Sequence, residues 1–309
     1  MNLELLKNHP YISQDIKGEK FNLPYNHIII DNFLKEDIYK SMCELFPKYI
    51  SKQKQQVGKV SETASTDYNA FIYQPKEEEC VNGYDFFHSE IWKDFMADCF
   101  KVILNQHNML SLHFHKGSAE NPSKSGWSHK DLALCSVIDD SEKKIKLAGF
   151  DCRYNDDSQD QQPNTTKVAR QIAILFYFNN KENLEEGDGG GTGVFGSYDK
   201  NSLIKEVKPV NNRLFAFEVC PTSFHGFIGG KFDRSAIVQW FHSSPAYFFN
   251  RHIKKMSTEY FERWSKDTIW NIEKDPQYFN YFSSSLEKIK KECPLNKNPM
   301  QDKLDEYLK

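Results

Sequence analysis

The stretch GWSHKDLALCSV, residues 126–137, places His129 two positions ahead of Asp131 at the start of an apolar run. In an extended chain successive side chains alternate faces, so 129 and 131 project to one side while Lys130 projects to the other. An imidazole and a carboxylate so placed can hold one metal ion. They are equally compatible with a solvated strand end, because a His-x-Asp triplet is common in soluble proteins. Downstream, CPTSFHGFIGGKFDRSAIVQWF carries His225, with Arg234 nine residues further on. Gly229-Gly230 offers a chain reversal between them, and RSAIVQWF alternates so that Arg234, Ala236, Val238 and Trp240 share one face. An arginine at the head of an otherwise apolar face needs an anionic partner, either an internal acid or the carboxylate of a bound molecule.

The remaining histidines are weaker candidates. His113 and His115 have strand spacing but no nearby carboxylate or cysteine to complete a ligand set, and at least one of them is expected to line the interior or belong to the core. His9, His27, His88, His107, His242 and His252 are isolated, and no H-E-x-x-H or C-x-x-C pair supports a zinc site. Two histidines and one carboxylate on one face of an octahedral ion leave three positions open for co-substrate and O₂, the ligand set of non-haem Fe(II) oxygenases. His129, Asp131 and His225 could supply such a set, but spacing alone does not single it out, since a His-x-Asp with a downstream His and Arg is common.

Positioning them requires strands. LSLHFH (110–115), LALCSVI, IAILFYF, RLFAFEV and SAIVQWF are short apolar or alternating runs bounded by Gly, Pro, Asn and Asp clusters. They predict a mainly β protein with flanking helices, an antiparallel barrel or double-sheet jelly roll. Ahead of them, NHIII (26–30) reads as a strand and Lys35 to Leu45 as a helix that Pro47 stops. Residues 49–67 read as a polar loop, and 85–110 resume helical spacing from Phe86 through Leu104. The polar segment 151–169 is long enough for a lid or insertion, and after Pro245 the pattern is again helical, with a last helix opened by Asp275-Pro276 and running to Ile289. The expected organisation is 1–110 as a supporting strand and helices, 111–245 as the jelly-roll core and 246–309 as a helical extension.

Bulk properties narrow the partners. The 309 residues are 39% hydrophobic, 14% aromatic and 27% charged, a folded and rather polar composition. A net charge of −3 from interspersed acids and bases provides no basic stripe, so nucleic acid is not an expected partner. Seven cysteines without a C-x-x-C pair fit a reducing cytoplasm. The N-terminal MNLELLKNHPYISQ lacks a basic region followed by an apolar run, and no window approaches the ~18 apolar residues of a membrane span.

As a set, H-K-D at 129–131, R-Q-I-A-I-L-F-Y-F-N at 170–179, G-G-G-T-G at 189–193, the histidine at 225 and R-S-A-I-V-Q-W-F at 234–241 resemble the Fe(II)/2-oxoglutarate-dependent oxygenases, in particular their prolyl-hydroxylase-like branch. The resemblance implies a double-stranded β-helix, with iron on His129, Asp131 and His225. It implies that Arg234 receives the far carboxylate of 2-oxoglutarate and that Tyr177 contacts the same carboxylate. It also implies oxidative decarboxylation to succinate and CO₂ coupled to hydroxylation of a C–H bond by O₂, with ascorbate as a supporting reductant. Related halogenases carry a small residue in place of the aspartate, so the carboxylate at 131 favours hydroxylation. The substrate is either a prolyl or other protein side chain or a free amino acid or small metabolite. Three departures stand out: His115 falls where many relatives have a tyrosine, the interval from Asp131 to His225 is long, and GDGGGTG is richer in glycine than the family's Gly-Gly. A phosphate-cradling loop is the rival for that run, but it lacks the Lys-Ser/Thr and following helix that such a loop needs. From another class, the rival to an enzyme is a jelly-roll metal- or ligand-binding sensor domain without turnover.

Overall fold

The computed structural model describes residues 1–52, 70–126, 128–131, 134–138, 146–147, 165–197, 199–220, 222–248 and 251–252. Among them the strands are β1 (Lys17–Phe21), β2 (His27–Asp31), β3 (Ala70–Tyr73), β4 (Asn108–His115), β5 (Leu134–Ile138), β6 (Lys146–Leu147), β7 (Thr165–Tyr177), β8 (Thr192–Phe195), β9 (Leu203–Val207), β10 (Arg213–Glu218), β11 (His225–Phe227) and β12 (Arg234–Ser243). The helices are α1 (Glu4–Lys7), α2 (Glu36–Ser51), α3 (Glu90–Phe100) and α4 (Pro245–Phe248). Each apolar or alternating run singled out in the sequence overlaps one of these strands.

The chain divides into two compact units, one of Met1–Val102, Asn108–Lys130 and Ile172–Phe241, the other of Ile103–His107, Asp131–Gln171 and His242–Lys309. The first holds two antiparallel sheets, ordered β1-β2-β10-β7-β12-β4-β3 and β11-β8-β9, and is a mainly β jelly-roll core with flanking helices. The sheets meet through side chains. The Phe217 ring of β10 lies 4.4 Å from that of His225 on β11, and the Tyr177 hydroxyl of β7 donates to Thr192 Oγ1 of β8 at 2.6 Å.

Alternation in β12 separates its two faces. Gln239, fully buried, accepts from the Trp92 indole of α3 at 2.9 Å and donates to the Phe87 carbonyl at 2.5 Å. That face therefore seats the helical layer, where Phe33, Phe86, Phe87 and Trp92 interlock and Phe87 reaches Phe176 of β7. The opposite face, headed by Arg234, is left for the site. The first hundred residues also add sheet: β2 pairs with β10 from Leu214↔Ile30 to Phe217↔His27.

In the second unit β5 pairs with the first half of β7, from Leu134↔Ala169 to Ile138↔Thr165, and with β6. His242 is fully buried there and donates from Nδ1 to the His107 carbonyl at 3.0 Å. Desolvation pulls its pKa to about 3, so it stays a neutral core imidazole.

Two local expectations are corrected. The second helix runs through Pro47 to Ser51. Pro47 forfeits one helical hydrogen bond, yet its neighbours are anchored: Phe46 packs on Phe114 and Phe178, and Tyr49 packs on Tyr84 and donates to the Glu79 carbonyl. Tertiary packing outweighs the local penalty. The helical spacing of 85–110 covers a 3₁₀ turn (Asp85–His88), then α3, and stops at Phe100, where Lys101 takes a left-handed C-cap (φ +54°) with its N–H on Ala97 and Asp98. Ser89 caps the other end by accepting from the Trp92 N–H. Ile103 is consequently 68% exposed, and the strand that follows begins at Asn108. The strand β7 includes Thr165–Ala169 of the polar segment 151–169. The rest of that segment, most of the 49–67 loop, Trp127 and the 275–289 helix lie outside the described residues. Among the described residues no helix is long and apolar enough to cross a membrane.

Candidate functional site

Local hydrogen bonding brings the two histidines together. Residues 123–126 and 128–129 lie antiparallel to 225–230: the Ser123 N–H donates to Gly230, Gly126 to Phe227, and His129 and His225 exchange both main-chain bonds at 2.8 Å. His129 and His225 are thus bridge partners, and their rings stand 4.3 Å apart. Nδ1 of His225, 5% exposed, donates to the Ser223 carbonyl at 2.9 Å. That bond sets the tautomer with the lone pair on Nε2, the nitrogen that could ligate a metal ion. Asp131 follows at φ +56°, a left-handed conformation that aspartate tolerates better than most residues, and its Oδ1 lies 3.5 Å from Arg170 Nη1.

One ligand atom from each of His129, Asp131 and His225 lies within 4.8 Å of the others. Neighbouring ligands of one ion, each ~2.1 Å from it, stand about 3 Å apart, so modest side-chain rotations would close the set. Nitrogen and oxygen donors of this kind fit a divalent first-row transition metal.

The candidate anion anchor, Arg234 with Tyr177, lies on β12 and β7. Arg234 is 3% exposed, and its Nε has no hydrogen-bond partner among the described residues; nor does any described carboxylate lie within ion-pair distance. Its guanidinium carbon sits 5.2 Å from the Tyr177 ring centre and 5.4 Å from that of Phe227. Burial pulls the Arg234 pKa down and pushes that of Tyr177 up, each partly offset by the other. A cation in this state is costly unless an anion joins it. Phe227 lies two residues beyond His225 on β11, so side chains of that strand point alike toward both features. His115 is the cross-strand partner of Arg234 and stacks on Phe227 at 4.3 Å, whereas half-buried His113 bonds Ser111 at 2.9 Å.

The glycine run 187–193 is a tight connection into β8, not the start of a helix. Gly189 has φ +69°, and a Cβ there would come within 2.0 Å of the Gly229 carbonyl oxygen. The main-chain contact locks the loop against the turn that follows His225. Gly189→Ala is expected to cost about 2–4 kcal/mol, the sum of a left-handed penalty and overpacking, read as a lower urea midpoint.

Thr192, Phe227 and Arg170 belong to this neighbourhood although spacing assigned them no task. Thr192 and Arg170 stood inside the quoted motifs, but nothing local distinguishes a strand threonine that meets Tyr177, or an arginine that meets Asp131, from surface residues.

No family model matches the sequence, and the search of curated proteins found no match. Solved structures match the chain at low identity. The chain overlaps a prolyl-4-hydroxylase from Pseudomonas putida over 73% of its length and 91% of that protein's, with 14% identity and a TM-score of 0.44. A Trichoplax adhaerens prolyl hydroxylase, in complex with a hypoxia inducible factor oxygen degradation domain peptide fragment, overlaps over 75% and 87%, at 14% and 0.47. A viral collagen prolyl hydroxylase from Paramecium Bursaria Chlorella virus-1, in its 2OG complex, overlaps over 70% and 96%, at 17% and 0.42.

Proposed function

We propose that the protein is an Fe(II)- and 2-oxoglutarate-dependent dioxygenase that hydroxylates an unactivated C–H bond and releases succinate and CO₂. The observation that carries this reading is the buried guanidinium of Arg234, without a described acidic partner, on the side of the fold that presents His129 and His225. A site for metal alone has no use for it. A dicarboxylate that chelates a metal through its 2-oxo acid end needs a second anchor for its far carboxylate, and Arg234 with Tyr177 supplies one.

His129, Asp131 and His225 would hold the iron, which when bound supplies O₂ activation and the oxidising power that no side chain has. His225 is kept in its metal-binding tautomer by Ser223. Arg234 binds the far carboxylate, Tyr177 orients that end by turning its hydroxyl proton from Thr192 to the carboxylate, and Phe227 walls it from water. The substrate is a prolyl or other protein side chain, or a free amino acid or small metabolite.

The test is succinate formation by the full chain with Fe(II), 2-oxoglutarate, ascorbate and O₂, across a panel of metabolites and proline-containing peptides. Turnover above the uncoupled background with one substrate is expected. A protein that neither iron nor 2-oxoglutarate stabilises, and that yields no succinate with any panel member, would overturn the enzyme reading; one that binds iron without forming succinate would be a sensor or binding domain.

A further inference from the structure

The direction of the Asp131 carboxylate is not set by the bond that sets His129. His129 is held in its bridge to His225 by two main-chain bonds, whereas Asp131 lies beyond that bridge, with φ +56°, ahead of β5. The second strand involved is β7. Leu134, the first residue of β5, is the partner of Ala169, and the next residue, Arg170, reaches Asp131 with Nη1 3.5 Å from Oδ1. Both side chains are largely enclosed, 11% and 12% exposed, so the ion pair is poorly screened by solvent.

A carboxylate can hold a divalent ion through one oxygen or through both. Using both would occupy a position that a two-histidine, one-carboxylate centre must keep open. We propose that Arg170 is a positioning residue: by engaging Oδ1 it turns the other oxygen of Asp131 toward the ion and keeps the carboxylate a single-point ligand, so that a 2-oxo acid can chelate beside it. The inference rests on the metal-centre reading given above.

Orientation and charge predict opposite signs. An outer partner that orients a ligand is worth about 10- to 100-fold in metal affinity, so removing it weakens binding. A guanidinium that merely repels an incoming cation would, on removal, tighten binding.

The full chain, Arg170→Met and Arg170→Lys would be titrated with Mn(II) by calorimetry without oxygen, and their Co(II) absorption recorded before and after 2-oxoglutarate. For Arg170→Met the expected result is a loss of about 10- to 100-fold in Mn(II) affinity and a diminished spectral response to 2-oxoglutarate. Arg170→Lys, which keeps a charge of similar reach, should recover part of both. Unchanged or tighter Mn(II) binding by Arg170→Met, with the wild-type spectral response, would overturn the proposal. Failure of both variants to fold would overturn it too, by giving Arg170 a structural role. Wild-type protein that binds neither Mn(II) nor Co(II) would instead remove the metal centre on which the inference depends.

Discussion

Asp131→Asn is expected to lose metal binding and, with it, all substrate-coupled succinate formation. Asparagine is the informative replacement because it tolerates the φ of +56° at this position, whereas alanine would add a backbone penalty unrelated to the ion. The change removes the only anionic donor of the His129, Asp131 and His225 set and leaves an amide, a far poorer ligand for a divalent metal. Losing a direct ligand should exceed the roughly 10- to 100-fold attached to an outer partner. Mn(II) calorimetry and the succinate assay read the two consequences separately. An Asp131→Asn protein that binds Mn(II) within a few-fold of wild type would show that Asp131 is not a ligand. The adjacent His129–His225 bridge depends on main-chain bonds, so circular dichroism should stay close to wild type, whereas loss of the enclosed ion pair with Arg170 should lower the melting temperature.

Arg234→Met should act on the second half of the site and in an unusual combination of directions. A charge-assisted hydrogen-bonded contact is worth about 1.5–3 kcal/mol, so the 2-oxoglutarate concentration needed for half-maximal turnover should rise about 10- to 100-fold. The metal affinity should remain. Stability of the ligand-free protein should not fall, because the variant exchanges a buried, unneutralised guanidinium for an apolar side chain of similar length. What should disappear is the stabilisation that 2-oxoglutarate confers on the wild type. Selectivity provides a further check: wild type should prefer 2-oxoglutarate to a 2-oxo acid lacking the far carboxylate, and Arg234→Met should lose that preference. Unchanged 2-oxoglutarate affinity would contradict the anchor role.

Both expectations depend on features that the sequence discloses to different degrees. Alternation in RSAIVQWF is enough to place Arg234 and Ala236 on one face and Gln239 on the other, since a pleated strand enforces a period of two. The strand NHIII and the central apolar runs are legible for the same reason, and so is the β-rich class they imply. His-x-Asp is visible as a pair, but its meaning depends on a partner far along the chain. Pro47 and the spacing of 85–110 mislead because a local rule has no access to the aromatic contacts that hold Tyr49, or to the capping geometry at Lys101.

The sequence by itself determined the face of Arg234 and the β-rich class, because each follows from residue type and short-range periodicity; the jelly roll and the candidate ligands His129, Asp131 and His225 came from the resemblance of the motifs taken as a set. Only the tertiary structure decided that His129 and His225 are bridge partners, that Tyr177 meets Thr192, that Arg170 meets Asp131 and that Arg234 is buried beyond the reach of any described carboxylate. Those facts depend on strand register and on which surfaces are removed from water. Register and burial are properties of pairs of segments, and no single segment carries them.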